Sequence, residues 1–212
     1  MTIELQNLKP RYMSESEVAG SDIYLQPSVR FERGRKYMIC ARSGRGKTSL
    51  LNFIYGSNLN YDGKILYRET SEDSAPSPFS LRLRHLSYLF QDLALFPELT
   101  ALENVQIKNN LTGHKSDTDI EAMLDAVLPS GKKHQPLRTL SLGQRQRVAA
   151  VRALCQPFEF LLLDEPFSHL DNVTAATVAT LITTELETQN ASLILTALDP
   201  IDFFPFDCTL RL

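Results

Sequence analysis

The chain has 212 residues, 43% of them hydrophobic, and a formal net charge of −3. That length supports one domain or two closely joined lobes around a substantial core, and the near-neutral balance gives no electrostatic case for nucleic acid. Cys40, Cys155 and Cys208 lie far apart with no C-x-x-C pair, so they read as thiols of a reducing compartment, not as a metal site or a disulfide framework.

Residues 2–8 alternate polar and apolar like a first strand, without the basic-then-apolar opening of a signal segment. No apolar run approaches the roughly 18 residues a membrane helix needs, which predicts a soluble chain that does not span a bilayer. Residues 11–20 are polar and loop-like. Ile23–Gln26 and Ser28–Phe31 read as short strands, with Pro27 tolerated between them at an edge or bulge. Glu32-Arg-Gly34 then turns the chain.

Tyr37-Met-Ile-Cys40 is a buried strand, Ala41 to Gly46 a tight glycine loop, and Lys47 to Tyr55 a helix. Such a loop turns backbone N–H groups inward while the helix behind it presents its positive end to the same point. The occupant this chemistry suits is a polyphosphate, with Lys47 on its β- and γ-phosphates and the Thr48 hydroxyl on Mg²⁺. The pattern is G-x-x-x-x-G-K-[ST] with Ala41 in place of its first glycine; Gly44 and Gly46 keep the freedom to adopt positive φ.

Asn60-Tyr-Asp-Gly63 predicts a turn and Lys64–Tyr67 another strand. Residues 70–80 are a polar, proline-containing connection, the segment most suited to disorder. His85–Phe90 returns to a strand. It places Gln91 at the carboxyl end, where open α/β sheets bind ligands.

From 98 to 129 the strand pattern gives way to helices, with a capping-box spacing at Thr100–Glu103 and helical apolar intervals from Asp117 to Leu128. After an irregular stretch to Pro136, Leu140-Ser-Leu-Gly-Gln144 opens a helix running to Cys155. Ser141 is its N-cap, and the helix start is a second anion-suited point. Phe158–Leu163 is a buried strand ending in Asp164 and Glu165, acids that cannot stay buried unpaired. Beside a phosphate loop, Asp164 would hold Mg²⁺, and Glu165 would orient or deprotonate the attacking water. Ser168–Asp171 leads into a helix to residue 189. Ala191–Thr196 is a last buried strand, and Cys208–Leu212 is strand-like.

In this order and spacing the motifs resemble the nucleotide-binding subunits of ABC transporters over essentially the whole chain. The stretch Phe90–Asn104 is most similar to small importers and to the lipoprotein-release and macrolide-export type. The resemblance implies an α/β P-loop ATPase fold with an antiparallel β subdomain and a helical subdomain. Its divisions would be 1–91 and 157–212 for the β subdomain plus nucleotide core, and 92–156 for the helical part. The loop Arg42, Ser43, Gly44, Arg45, Gly46, Lys47, Thr48 and Ser49 would bind ATP, and Tyr12 would stack on adenine. Thr48, Gln91 and Asp164 would hold Mg²⁺, and Glu165 with Gln91 would serve catalysis. Ser141, Gly143 and Gln144 of the signature would contact the nucleotide of a head-to-tail partner cassette. A transmembrane permease would dock near Gln91, placing the chain on the cytoplasmic face of a membrane.

Three departures from the family pattern bear on rate, the first being Ala41 in place of the phosphate loop's first glycine. Leu142 replaces the signature's first glycine. Ala197-Leu198-Asp199 stands where the family carries a switch histidine, and His169 lies elsewhere. An alternative is therefore a nucleotide-gated binding subunit with weak or no turnover. A DNA-repair ATPase is disfavoured because the span from Gln91 to Ser141 carries no heptad-rich insertion. A ribosome-associated type is disfavoured because there is one cassette, not two.

Overall fold

The computed structural model describes residues 1–68 and 77–212. A three-stranded antiparallel sheet is ordered β2-β1-β4, and a five-stranded parallel sheet is ordered β5-β6-β7-β3-β8. The first sheet comprises β1 (Thr2–Pro10), β2 (Val29–Phe31) and β4 (Tyr61–Arg68). The second comprises β3 (Lys36–Cys40), β5 (Leu86–Leu89), β6 (Phe160–Asp164), β7 (Ser192–Ala197) and β8 (Cys208–Arg211). Between them run α1 (Glu15–Val18), α2 (Lys47–Tyr55) and a short α3 (Pro78–Ser80). The later helices are α4 (Ala101–Asn109), α5 (Asp117–Val127), α6 (Leu142–Leu154) and α7 (Asn172–Thr188).

The strands β5, β6 and β7 are buried along their whole length because both faces of the sheet are covered there. Along β6, Leu161 and Leu163 enter a core shared with α4 to α7, while Phe160 and Leu162 enter one shared with α2 and the antiparallel sheet. Alternation along a strand thus divides one hydrophobic run between two cores.

Three expectations are corrected. Ile23–Gln26 is a turn, not a strand: the Ser21 hydroxyl accepts from the Ile23 and Tyr24 amides, and Leu25 has φ 60°. Ile23 and Tyr24 are buried from the turn, which is why the stretch mimics a strand. Asn60–Gly63 is not a free-standing turn, since β4 begins at Tyr61. Gly63 lies against a bulge in β1, where a β-carbon would come within 2.4 Å of the Asn7 carbonyl oxygen; bulges attract glycine for this reason. The loop expected over 11–20 contains α1, started by a capping box between Ser14 and Glu17. The connection expected at 70–80 lies, for residues 70–76, outside the described residues. A π-helical turn at Leu81–His85 precedes β5.

Candidate functional site

In the sheet order, β7 separates β3 from β6, so the carboxyl ends of the three strands form one ledge. Cys40 is level with Ala197, and Asp164 with Thr196. From this ledge the glycine loop rises into α2, whose N-cap Gly46 has φ 90°, and Gly44 has φ 79°. A cavity of about 290 Å³ opens above it, lined by Tyr12, Ser43, Gly44, Gly46, Lys47, Thr48, Ser49, Gln91 and Glu165. Residues from four separate stretches of sequence therefore meet at one place.

The buried Lys47 ammonium donates to the carbonyls of Ala41 (2.6 Å) and Arg42 (3.2 Å) and lies 3.2 Å from the Glu165 carboxylate. Glu165 occupies the left-handed region, φ 49°. Its amide donates to the Thr196 carbonyl, and its own carbonyl accepts from Gln146 Nε2 (3.0 Å) and the Ser168 hydroxyl (3.0 Å). Those contacts hold a backbone conformation that costs an ordinary residue energy. Thr48 Oγ1 donates to Gln91 Oε1 at 3.1 Å, and Tyr12 is hydrogen-bonded to Ser49 with its ring exposed.

Asp164 is buried. Its Oδ1 accepts from Thr196 Oγ1 at 2.6 Å, while its buried Oδ2 has no hydrogen-bond partner among the described residues. Burial raises its pKa, opposed by the Thr196 and Thr48 hydroxyls. An orphaned carboxylate oxygen beside a threonine hydroxyl is a donor set that suits a hard divalent cation such as Mg²⁺.

The remaining residues expected at the nucleotide lie elsewhere. Arg42 and Arg45 line a second cavity of about 650 Å³ with Leu198, Asp199 and Arg211. Ser141, Gly143 and Gln144 sit at the start of α6, where Ser141 and Gln144 form a reciprocal capping box. None of the three lines the cavity over Lys47. Leu142 instead borders a groove with Gln91, Asp92, Leu93, Leu95, Pro97, Leu137 and Arg145.

Beside that groove, the 93–100 segment is firmly held. Asn104, fully buried, accepts from the Phe96 amide (2.8 Å) and donates to the Phe96 and Thr100 carbonyls. Arg152 donates to the Ala94 carbonyl. Leu93 and Ala94 both have positive φ, and Phe96 is left 51% exposed. Sequence reasoning missed Thr196, Gln146 and Asn104. The available signal for Thr196 was a polar residue closing an apolar strand.

The family model for "ABC transporter" matches residues 25–168. The uncharacterized ABC transporter ATP-binding protein YclH of Bacillus subtilis is 32% identical over 84% of this chain and 79% of its own length. The macrolide export ATP-binding/permease protein MacB of Sodalis glossinidius is 31% identical over 93% of this chain, which spans only 30% of MacB. Among solved structures, the bacterial ABC transporter cassette MJ0796, in dimeric form, superposes with a TM-score of 0.73 at 25% identity, covering 93% of this chain and 88% of that one. The same cassette has a dimeric post-hydrolysis structure with ADP and Pi. The glycine loop, the paired acids and these relatives together place the chain in the ABC transporter family, as one of its ATP-binding ATPase cassettes.

Proposed function

We propose that this chain binds MgATP in the cavity over Lys47 and hydrolyses it as one half of a head-to-tail pair of cassettes coupled to a transmembrane permease. The observation that carries the reading is the convergence of Lys47, Thr48, Gln91 and Glu165 on one cavity, with the orphaned Asp164 oxygen behind them.

The backbone N–H groups of the loop and the start of α2 would receive the phosphates, with Lys47 neutralising them. Thr48, Asp164 and Gln91 would hold Mg²⁺, which supplies charge neutralisation on the phosphate oxygens. An arriving phosphate competes with Glu165 for Lys47, freeing that carboxylate to take a proton from water. The water oxygen then bonds to the γ-phosphorus as the β–γ bridging P–O bond breaks, leaving ADP and phosphate. Tyr12, exposed at the rim, is available to stack on adenine.

The signature residues Ser141, Gly143 and Gln144 lie away from their own chain's cavity, which favours their serving a partner's nucleotide. This is consistent with the dimeric form of the MJ0796 cassette. In this reading 92–156 is the helical subdomain that carries the signature, and the rest is the β subdomain with the nucleotide core. None of the described helices is long and apolar enough to cross a membrane. A permease partner, met through the groove by Leu93–Pro97, would therefore bring the chain to the cytoplasmic face.

The test is calorimetry with MgATP on wild type and Lys47→Ala, paired with phosphate release by Glu165→Gln. Removing the charge-assisted contact should weaken binding by about 1.5–3 kcal/mol, and Glu165→Gln should bind but not turn over. Equal affinity in wild type and Lys47→Ala would sink the reading.

A further inference from the structure

Tyr24 is almost wholly buried, at 1% exposure, yet its hydroxyl reaches the glycine loop: it donates to the Gly46 carbonyl oxygen at 2.8 Å. That same oxygen accepts the Leu50 amide at 2.9 Å, the first turn of α2. We propose that Tyr24 is a positioning residue for nucleotide binding, fixing the Gly46–Lys47 peptide so that the Lys47 N–H faces the phosphates. The inference rests on the phosphate reading of the cavity.

The reason is peptide geometry. In a planar trans peptide the carbonyl and the following N–H point in opposite directions. Holding the Gly46 carbonyl inward, between Tyr24 and Leu50, therefore turns the Lys47 N–H toward the cavity in front of the helix. Gly46 needs this restraint, because glycine is the residue least constrained by its own backbone. It also admits the tyrosine: a β-carbon at position 46 would lie 2.9 Å from the Tyr24 hydroxyl oxygen.

The tyrosine is itself anchored. Ser21 Oγ accepts the Ile23 and Tyr24 amides, and Asp22 exchanges two hydrogen bonds with Arg211 of β8, its amide donating to the Arg211 carbonyl and its carboxylate accepting from the Arg211 amide. Burial raises the phenol's pKa, so it stays a neutral donor across working pH. The turn at 21–25 is thus a rigid strut between the edge strand β8 and the loop.

The structure contains an internal control. Tyr67 also donates its hydroxyl to a carbonyl of α2, that of Ile54 at the opposite end of the helix. Tyr24→Phe and Tyr67→Phe each remove one phenol–carbonyl bond from the same helix while keeping the ring. MgATP affinity of both variants is measured by calorimetry, with thermal unfolding alongside. The expected result is a loss of about fivefold to tenfold in affinity for Tyr24→Phe, and a change under about twofold for Tyr67→Phe, whatever each does to the melting temperature. Equal weakening in both would assign the effect to general loosening of α2 and overturn the inference. No weakening in Tyr24→Phe would overturn it too, while wild type that binds no MgATP would remove the phosphate reading and this inference with it.

Discussion

A β-carbon at Gly143 would come within 2.8 Å of the His169 carbonyl oxygen. The start of α6 therefore packs on the backbone of the loop between β6 and α7, and this contact, within one chain, requires glycine at 143. His169 lies four residues beyond Glu165, so the start of α6 and the carboxylate proposed as the base share a short stretch of chain. We expect Gly143→Ala to push that loop away and destabilise the fold by about 1–3 kcal/mol, as overpacking against backbone does. Leu142→Ala, at an exposed neighbouring position, should leave stability nearly unchanged. Denaturant unfolding of the two variants checks this; equal stabilities would refute the contact.

Phe96 should be dispensable to the fold and needed by the partner. It is exposed, but the backbone that carries it is clamped by Asn104. Phe96→Asp should unfold within about 0.5 kcal/mol of wild type, as surface changes do, and lose association with the purified permease. Asn104→Ala should instead cost about 1–3 kcal/mol, because it strands several backbone groups. Full permease binding by Phe96→Asp would place the docking surface elsewhere.

Acid should loosen the antiparallel sheet through Glu4. Its buried carboxylate accepts hydrogen bonds from Gln6 and Ser28 and lies against Arg30 and Arg68, which together lower its pKa to about 2. An unfolded glutamate titrates near 4.3. A depressed carboxylate contributes stability that is fully present above the unfolded value and is lost as pH falls through the folded one. Between roughly pH 4.5 and 2, wild type should thus lose more of its melting temperature than Glu4→Gln does. Parallel acid limbs for the two proteins would show that Glu4 does not drive the effect.

The site was legible in the sequence where chemistry and element order coincide. Lys47 follows a buried strand and a glycine loop, and Asp164-Glu165 terminates another such strand, so both could be placed without coordinates. What stayed hidden depends on strand order and on distance across the fold. Thr196 meets Asp164 only because β7 lies beside β6. The sequence around Tyr24 resembles a strand because the turn buries Ile23 and Tyr24, and nothing local announces a hydroxyl aimed at Gly46, 22 residues on. Arg42 and Arg45 belong to the same loop but line the neighbouring cavity, which Ser43 shares with the one over Lys47.

Leu198 follows β7 and borders both the Arg42–Arg45 cavity and the one under Glu165 and Pro166, 47% exposed, with no hydrogen-bonding group in its side chain. Phosphoryl transfer is driven by positioning and by donors that meet the charge growing on the γ-phosphate. Where such a donor is removed in other enzymes, rates fall by about 10²–10³. Glu165, the proposed base, is held by Gln146 and Ser168 through its backbone and paired to Lys47, whereas Leu198 offers no such donor. We therefore expect slow steady-state phosphate release from the chain alone, abolished by Glu165→Gln and raised by Leu198→His. Leu142→Gly should raise it as well if bulk at the signature hinders close approach to a partner's nucleotide. Vigorous wild-type turnover, indifferent to both gain-of-function substitutions yet lost in Glu165→Gln, would mean that another group supplies the missing donor and that Leu198 sets no limit on the rate.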